Sequence, residues 1–393
     1  MTASLHVDVA VVGGGIAGAS AAWWVAQAGA SVVVIEREPQ PALHATGRSA
    51  GTLSETSGHP VVCALTTASR PFFEQPPVGF APTPLVAPKG MVWIGRHDDG
   101  PMLDDIAAAG RALRPSVRRL DPQETRALLP GVSAGAMAGG GVHEPDAVAV
   151  DVGRAVECFL RGLRPSGGRV ITSGEVIFGL RRRDRWTLDL GGERVGASVV
   201  INAAGAWGDV LAERCGLPPL GLRALHRTVA VTGLPPERAD AALGWPLVMD
   251  VAGRGYFEAV EDGLLISPGD ELPSSPCDAR ALPDDVERAV RQVSDLIGSP
   301  LGTVRRSWAG LRTFTRDRLP AVGCDPLAEG FVWAVGQGGA GIKTAPALGA
   351  LAAAAALSTA PPALATAVPG LDLTTIDPAR FSRRQPRGLG AGA

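Results

Sequence analysis

The N-terminal segment contains the pattern that most restricts the fold of this chain. A short, nearly all-apolar run rich in valine, Val7–Val12, leads into the glycine-rich segment GGGIAG at residues 13–18. Small and apolar residues at helical spacing follow over Ala19–Ala28, and a second apolar run, Ser31–Ile35, ends at Glu36. A strand, a glycine-rich turn, a helix and a strand in this order predict a β-α-β unit in a parallel sheet covered on both faces.

Three glycines of this turn have the spacing that a dinucleotide-binding site requires. Gly13 allows the tight turn, Gly15 lets the backbone approach a pyrophosphate, and Gly18 lets the helix pack closely on the strand. The helix N-terminus then offers free N–H groups and a partial positive charge to the phosphates. Glu36 would accept hydrogen bonds from a ribose diol and would repel a 2′-phosphate, so NADP is disfavoured although Arg37 follows it.

FAD and NAD share this fingerprint, and the motif alone does not distinguish them. Two features favour FAD: the motif lies at the extreme N-terminus, and a second glycine-rich segment at residues 336–341 precedes the predicted helix Ala345–Leu357. A helix N-terminus there would stabilise negative charge on a reduced isoalloxazine ring.

The rest of the chain predicts an α/β fold in which two domains interleave. Further strands are predicted at Gly90–Ile94, Arg169–Ile177, Trp186–Leu190, Val199–Ala203, Thr228–Thr232, Tyr256–Val260, Gly263–Ser267 and Phe331–Val335. Further helices are predicted at Asp104–Leu113, Pro122–Leu129, Asp151–Leu163 and Pro283–Ile297. We assign residues 1–85, 145–217 and 313–375 to a Rossmann-like FAD-binding domain, and residues 86–144 and 218–312 to a β-rich (α+β) substrate domain. Residues 376–393 are predicted to form a flexible tail.

Charge and cysteine content exclude several classes of protein. Lys and Arg number 37 against 39 Asp and Glu, so no net positive charge drives nucleic-acid binding. The five cysteines include no CxxC pair, which indicates a reducing cytosol without a disulfide framework or a metal site. We see no signal peptide, and the longest apolar stretch is too short to span a bilayer, so we expect a cytoplasmic protein.

Four ordered motifs resemble the D-amino-acid-oxidase-like flavoenzymes, a family that includes glycine oxidase, monomeric sarcosine oxidase and bacterial D-amino-acid dehydrogenases. They are the N-terminal unit, HATGRSAG at residues 44–51, NAAGAW at 202–207, and WAGLR at 308–312 together with residues 336–344. Their order and spacing hold from about residue 5 to residue 360. Within the family, the chain resembles the D-arginine dehydrogenases most.

The resemblance implies bound FAD and oxidation of an amine next to a carboxylate, with oxygen or an electron carrier taking the electrons. Some relatives attach the flavin covalently through cysteine or histidine, but Cys324 and His44 are poorly placed, so we expect non-covalent FAD. Besides the fingerprint residues, the resemblance assigns to cofactor binding Ile16, Ala17, Arg37, Thr46, Gly47, Arg48, Ser49, Ala50, Gly51, Val176, Ala203, Gly205, Trp207, Arg312, Gly336, Gln337, Gly338, Gly339, Gly341, Ile342, Lys343 and Thr344.

The chemistry of such a substrate needs orientation more than acid–base groups. The α-hydrogen leaves as a hydride to flavin N5, which gives an imino acid that water hydrolyses to the 2-oxo acid. A guanidinium binds a carboxylate with two hydrogen bonds, and Arg312 matches the family's carboxylate-binding arginine. Arg227 is expected to be a second clamp. Tyr256, the only tyrosine, stands where relatives place a tyrosine on the substrate carboxylate, and these three residues are the predicted catalytic set.

Departures from the family restrict the substrate. Pro84–Trp93 lacks the acidic residue that binds the substrate guanidinium in D-arginine dehydrogenases. Thr52 and Ser57 stand where the active-site loop of those enzymes has a histidine and a tyrosine. We therefore expect an apolar or small side chain, with Thr52, Ser57 and Gln337 joining the three catalytic residues in substrate binding. Leu265 replaces the oxygen-activating lysine of sarcosine oxidases, which favours a dehydrogenase. Alternative substrates remain: an N-methyl amine, a cyclic secondary amine or a biosynthetic intermediate. An alternative function is that of a non-catalytic electron-relay protein.

Overall fold

The computed structural model describes residues 5–234, 242, 244–361, 363–366 and 371–381, and over these residues the chain has the predicted α/β fold. The helices are α1 (Ile16–Gln27), α2 (Pro60–Glu74), α3 (Gly100–Leu113), α4 (Pro122–Leu128), α5 (Val152–Arg161), α6 (Gly208–Arg214), α7 (Pro283–Ile297), α8 (Gly341–Leu357) and α9 (Ala363–Thr366). The strands are β1 (Leu5–Val12), β2 (Val32–Ile35), β3 (Thr52–Leu53), β4 (Val86–Pro88), β5 (Met91–Ile94), β6 (Arg118–Leu120), β7 (Gly141–Glu144), β8 (Val148–Val150), β9 (Arg169–Ile171), β10 (Phe178–Arg182), β11 (Arg185–Asp189), β12 (Arg194–Asn202), β13 (Arg223–Thr232), β14 (Leu247–Asp250), β15 (Tyr256–Val260), β16 (Gly263–Ser267), β17 (Pro273–Ser274), β18 (Val304–Phe314), β19 (Ala321–Cys324) and β20 (Phe331–Val335). None of the described helices is long and apolar enough to cross a membrane.

The first sheet has eight strands in the order β10-β11-β12-β1-β2-β9, with β20 beside β12 and β19 beside β20. Its centre is parallel: β1 lies between β12 and β2, so that Val9 is opposite both Val199 and Val32. Val9 and Val11 pack toward α1, α5 and α8, whereas Ala10 and Val12 pack on the other face with Trp186 of β11. The N-terminal run is apolar without alternation because both faces of the sheet are covered.

The second sheet has nine strands in the order β17-β13-β16-β15-β14-β5-β7-β6, with β18 beside β13. One face buries Phe257 and Ile266 against α7, and the other turns toward the first sheet. Leu225 is opposite Arg312, and Arg227 is opposite Gly310. Since paired residues share a face and side chains alternate along each strand, Arg227 and Arg312 lie on the same face, toward the first sheet. A separate three-stranded sheet has the order β3-β8-β4.

The predicted strand Arg169–Ile177 is too long, because only its first three residues form a strand. β9 ends at Ile171 and pairs with β2, and β10 begins at Phe178 and forms a hairpin with β11. Ser173 between them has a φ of 55°, and the N–H groups of Ser173 and Gly174 donate to the carbonyls of Glu38 and Glu36. The chain therefore turns over the end of β2, which brings the segment after Gly174 to the edge where Glu36 stands.

Sequence analysis did not predict α2, since prolines interrupt its pattern. Pro60 occupies the first helical turn, where a missing N–H costs nothing, and Pro71 lies near the C-terminal end. The helix buries Phe72 and Phe73 against the first sheet's helical layer. Its Arg70 is buried and forms an ion pair with Glu55, at 2.6 Å between Nη2 and Oε2.

The first six residues of the predicted flexible tail are packed against the rest of the protein. Residues 376–381 pack on the first sheet: Ile376 is buried, and its carbonyl accepts a hydrogen bond of 2.9 Å from the Val322 N–H. Arg380 donates to both carboxylate oxygens of Asp317, at 2.8 and 3.1 Å. These contacts stabilise the segment, because an apolar side chain and a guanidinium both have partners. Residues 382–393 of the predicted tail lie outside the described residues.

The ion pair between Asp317 and Arg380 predicts an acid-dependent loss of stability. Burial alone would raise the pKa of Asp317, but the hydrogen bonds from Arg380 and Thr315 lower it to about 2. A carboxyl with a depressed pKa stabilises the fold above its usual value of 3.8 and loses that contribution as the pH falls toward 2. Asp317→Asn should lower the free energy of unfolding at pH 7 by about 1 kcal/mol, since the carboxylate is partly exposed.

Urea unfolding of wild type and Asp317→Asn from about pH 7 down to about pH 3 measures this effect. The difference should narrow as the pH falls below about 4. Asp184→Asn, at the exposed turn of the β10–β11 hairpin, is the control and should match wild type. A constant difference across the whole pH range would show that the carboxylate's charge does not stabilise this segment.

Candidate active site

A deep cavity lies between the carboxyl ends of the first sheet's parallel strands and the facing surface of the second sheet. Segments from both sheets and from the loops between their strands form its walls, which include most of the predicted site residues. The predicted residues that line it are Gly13, Gly15, Ile16, Ala17, Glu36, Arg37, Thr46, Arg48, Ser49, Ala50, Val176, Ala203, Gly205, Trp207, Arg227, Tyr256, Arg312, Gln337, Gly338, Gly339, Gly341 and Ile342. We call the part near α1 the nucleotide end and the part near β13 and β18 the substrate end.

The turn before α1 has no room for side chains. Gly13 has a φ of 111°, and a Cβ on it would lie 2.4 Å from the Ala203 carbonyl oxygen. A Cβ on Gly18 would lie 1.9 Å from the Gly13 carbonyl oxygen, so this helix packs directly on the turn. The helix begins after Gly15, which has no side chain to cap it, and the Ile16 N–H donates to Thr46 Oγ1 at 3.1 Å. The positive N-terminal end of the helix faces the cavity, where an anionic phosphate would meet it.

Glu36 lies at the end of β2 with its carboxylate fixed in the nucleotide end. Its Oε2 accepts a hydrogen bond of 2.7 Å from the Gly14 N–H, and its Oε1 accepts one of 2.8 Å from the Glu38 N–H. Each oxygen keeps a further lone pair, and the side chain lines the cavity. The carboxylate can therefore accept hydrogen bonds from the hydroxyls of a ribose.

A stacked cluster of side chains borders the nucleotide end. The Arg37 guanidinium lies 3.9 Å from the centre of the Trp207 ring, and the His44 ring lies 4.8 Å from the same ring. Glu38 accepts hydrogen bonds from Arg37 at 2.7 and 2.8 Å, and its Oε1 lies 2.9 Å from His44 Nε2. The hydrogen bond with His44, together with Arg37, lowers the pKa of Glu38. Of the two candidates for covalent attachment, His44 lines this cavity, and Cys324 lies elsewhere on β19.

The Arg312 guanidinium lies at the substrate end of the cavity and forms no ion pair with a described residue. Among the residues that the structure describes, its guanidinium has no hydrogen-bond or ion-pair partner. The glycine-rich loop passes close to it, since a Cβ on Gly339 would lie 2.9 Å from Arg312 Nη1. Burial lowers the pKa of Arg312, and the like charge of Arg227 lowers it further. A guanidinium stays protonated in proteins, so this side chain presents its donors to whatever enters the cavity.

The polar neighbours of Arg312 differ in whether the protein provides hydrogen-bond partners for them. Tyr256 is 6% exposed, and its hydroxyl has no hydrogen-bond partner within the described part of the chain. Arg227 is bound on two sides: its Nε donates to the Asp270 carbonyl at 2.9 Å, and its Nη2 lies 3.4 Å from Glu271 Oε1. Gln337 donates its amide to the Ala334 carbonyl at 2.8 Å. Arg312 and Tyr256 are therefore the polar side chains here that have no hydrogen-bond partner at all in the described structure.

Several predicted residues do not line the cavity, and their roles stay predictions. Lys343 is buried with its Nζ donating to the backbone carbonyls of Ser54, at 2.9 Å, and Ser57, so it connects α8 to the loop after β3. Burial lowers the pKa of this lysine. Thr52 carries a buried hydroxyl without a partner in the described structure. The predicted residues outside the cavity wall are Gly18, Gly47, Gly51, Thr52, Ser57, Gly336, Lys343 and Thr344.

Sequence analysis missed part of the wall. Cys277 and Ala279 lie on the connection between β17 and α7, where no periodic pattern exists. Arg48, predicted to bind the cofactor, donates to the carbonyls of Ala279, at 2.7 Å, and Ala309, at 2.9 Å, and so fastens this connection over the cavity. Val229 also lines the cavity, and its position two residues after Arg227 on a strand is a signal that could have identified it.

Comparison with known proteins agrees with this geometry. A family model described as FAD dependent oxidoreductase (DAO) matches residues 8–355. The FAD-dependent oxidoreductase domain-containing protein 1 of Xenopus laevis is 24% identical over 391 residues, covering 88% of this chain and 78% of the relative. The crystal structure of glycine oxidase from Geobacillus kaustophilus has a TM-score of 0.81 at 21% identity, covering 97% of this chain and 100% of that one. L-proline dehydrogenase from P. horikoshii has a TM-score of 0.80 at 19% identity, covering 97% and 99%.

Proposed function

The chain belongs to the DAO family of FAD-dependent oxidoreductases, and from that premise we propose that it oxidises the C–N bond of an α-amino acid to an imino acid. The proposed substrate has the D configuration and a small or apolar side chain. The observation that carries the proposal is the Arg312 guanidinium, which lies in the cavity wall without a counter-ion among the described residues. A buried cation is costly unless an anion pairs with it, and the carboxylate of an amino acid is such an anion.

The nucleotide end fits FAD. The positive N-terminal end of α1 suits the pyrophosphate, and the Glu36 carboxylate suits the ribose hydroxyls. Gly338 and Gly339 would lie beside the flavin ring, next to the N-terminus of α8. When bound, FAD supplies the acceptor for the two electrons that the substrate loses. We propose non-covalent binding, because His44 is engaged with Glu38 and Cys324 does not line the cavity.

The residues at the substrate end would bind and orient the amino acid. Arg312 would hold the carboxylate with two parallel hydrogen bonds, and the Tyr256 hydroxyl would donate a third. Holding the carboxylate at two points fixes its position and plane, which places the α-carbon in the cavity and limits the directions that its C–H bond can take. The imino acid that results is hydrolysed by water to a 2-oxo acid and an amine or ammonia.

The walls near Arg312 support a substrate with an uncharged side chain. Val229 and Ala279 are apolar residues of this part of the cavity. Among the described lining residues, the only carboxylates are Glu36 and Glu175, and both lie at the nucleotide end. A cationic side chain would meet no carboxylate in the described cavity wall beside Arg312 and would be repelled by the guanidinium. The proposal therefore does not extend to D-arginine, and the D configuration rests on the family resemblance.

The electron acceptor is proposed to be a carrier rather than oxygen. Leu265, at the position that carries a lysine in sarcosine oxidases, is buried in an apolar cluster with Met91 and Tyr256. Leu265 is not among the residues that line the cavity, and it offers no cation to activate oxygen. A second candidate substrate, a cyclic or N-methyl amino acid, keeps the same carboxylate and would use Arg312 in the same way.

Anaerobic reduction of the bound flavin tests the proposed function. The FAD-loaded protein is mixed with a panel of D-, L-, N-methyl and cyclic amino acids, and loss of the visible flavin absorbance is recorded. Small and apolar D-amino acids should bleach the flavin, and readmitting air should restore the colour slowly if a carrier is the natural acceptor. Bleaching by L- or cyclic amino acids alone would reject the D assignment, and a flavin that no amine reduces would reject amine oxidation.

A further inference from the structure

Glu271 lies between two arginines at the rim of the substrate end. Arg318 donates to both of its carboxylate oxygens, at 2.7 and 3.1 Å, and Arg227 Nη2 lies 3.4 Å from Oε1. Burial alone would raise the pKa of Glu271, but Arg318, Arg227 and Arg312 together lower it, so the carboxylate stays ionised at neutral pH. Glu271 therefore neutralises charge next to the cavity without lining the cavity itself.

Without the Glu271 carboxylate, Arg227 and Arg312 would form a site with two positive charges. They lie on the same face of neighbouring antiparallel strands in diagonal positions, since Arg227 is opposite Gly310 and Arg312 is opposite Leu225. Long side chains in such positions reach each other, and both line the cavity. Two free guanidiniums at this separation would favour a ligand with two carboxylates.

The charged groups around Arg227 and Arg312 have a net charge of about +1. The guanidiniums of Arg227, Arg312 and Arg318 face two carboxylates, those of Glu271 and Asp270. Asp270 is fixed by the Thr228 N–H and hydroxyl, at 2.7 and 3.0 Å. Glu271 restrains Arg227 on one side, and the Asp270 carbonyl restrains it on the other. Arg312 alone is left without a partner in the described structure.

We propose that Glu271 is a specificity-determining residue that restricts the site to substrates with a single carboxylate. It does so by pairing with Arg227, which keeps the second guanidinium from binding a second carboxylate. This inference rests on the proposed function, because it uses the same Arg312 site. The substrate class that follows is the amino monocarboxylates, and amino dicarboxylates are excluded.

Arg318 is the positioning residue for Glu271. Its guanidinium stacks on the Phe314 ring at 3.9 Å and binds Glu271 with two hydrogen bonds. Phe314 in turn packs against Gly338 of the glycine-rich loop that borders the cavity. Contacts through Phe314 and Arg318 therefore connect the Glu271 carboxylate to this loop. Loss of Arg318 would leave Glu271 to pair with Arg227 alone. Substitutions at positions 271 and 318 should therefore change carboxylate selectivity differently.

Calorimetric titration of the FAD-loaded protein with propionate and with succinate tests the proposal. Neither probe is an amine, so the readout does not depend on oxidation. Wild type should bind propionate more tightly than succinate. Glu271→Gln should raise the affinity for succinate relative to propionate by about tenfold or more, because Arg227 becomes free to bind the second carboxylate. Arg318→Met should give no such gain.

Glu329→Gln is the matched control. Glu329 is an exposed carboxylate paired with Arg181 at 3.2 Å, and it does not line this cavity. Its variant should keep the wild-type ratio of affinities. An unchanged ratio in Glu271→Gln, or an equal gain for both probes, would overturn the inference. A changed ratio in a protein whose flavin no amine reduces would support the role of Glu271 and reject the proposed reaction.

Discussion

Replacing Arg312 with alanine should lower kcat/KM for the best amino-acid substrate by about a hundredfold to a thousandfold. The variant removes the only guanidinium of the cavity that lacks a counter-ion in the described structure, and the substrate carboxylate would then be desolvated without a partner. The effect should be on KM and on the rate of flavin reduction together, since the carboxylate also sets the direction of the α-C–H bond. Steady-state kinetics and single-turnover anaerobic reduction measure the two contributions.

Two further variants make this test specific. Arg306→Ala removes an arginine from the same strand, but that side chain is exposed and pairs with Asp262 at 3.0 Å, so activity should stay at the wild-type level. Arg312→Lys keeps the charge and loses the paired hydrogen bonds, so it should recover only part of the activity. Equal kinetics for Arg312→Ala and wild type would remove Arg312 from the site, and the proposed function would lose its main support.

Replacing Gly13 with alanine should yield protein that is purified largely without FAD. The new Cβ would lie 2.4 Å from the Ala203 carbonyl oxygen, and the φ of 111° is one that L-residues avoid. Relief of the clash has to move β1 or the segment after β12, and both end at the nucleotide end of the cavity. The ratio of flavin to protein absorbance, and the Kd for FAD on reconstitution, measure the effect.

Gly29→Ala is a control that has the strain of a positive φ but not the steric clash expected for Gly13→Ala. Gly29 also has a positive φ, of 84°, but a Cβ there would meet no atom within 4 Å. This control should lose about 1–2 kcal/mol of stability from strain and retain its FAD. If Gly13→Ala held FAD as tightly as Gly29→Ala, the close approach at Gly13 would not matter for cofactor binding.

The local elements of the fold could be predicted from the sequence alone. β15, β16, α7 and β20 have the predicted bounds, since each has an apolar period or a proline start that depends only on nearby residues. The dinucleotide fingerprint belongs to the same class, because the φ of Gly13 and the start of α1 after Gly15 are properties of one short segment. The end of β9 at Ile171 was predicted wrongly, because it depends on hydrogen bonds from Ser173 and Gly174 to a different part of the chain.

The sequence by itself therefore determined the parallel β-α-β unit, the glycines that allow a phosphate to approach, and the arginine and tyrosine of the substrate end as candidates. Only the tertiary structure decided which of these groups are free. Arg227 and Arg312 look alike as residues, but Glu271 and Asp270, which lie far from both in sequence, restrain one and leave the other without a partner among the described residues. The reason is physical: a strand or a glycine turn follows from local backbone preferences, whereas the state of a charge depends on every group that the fold places beside it.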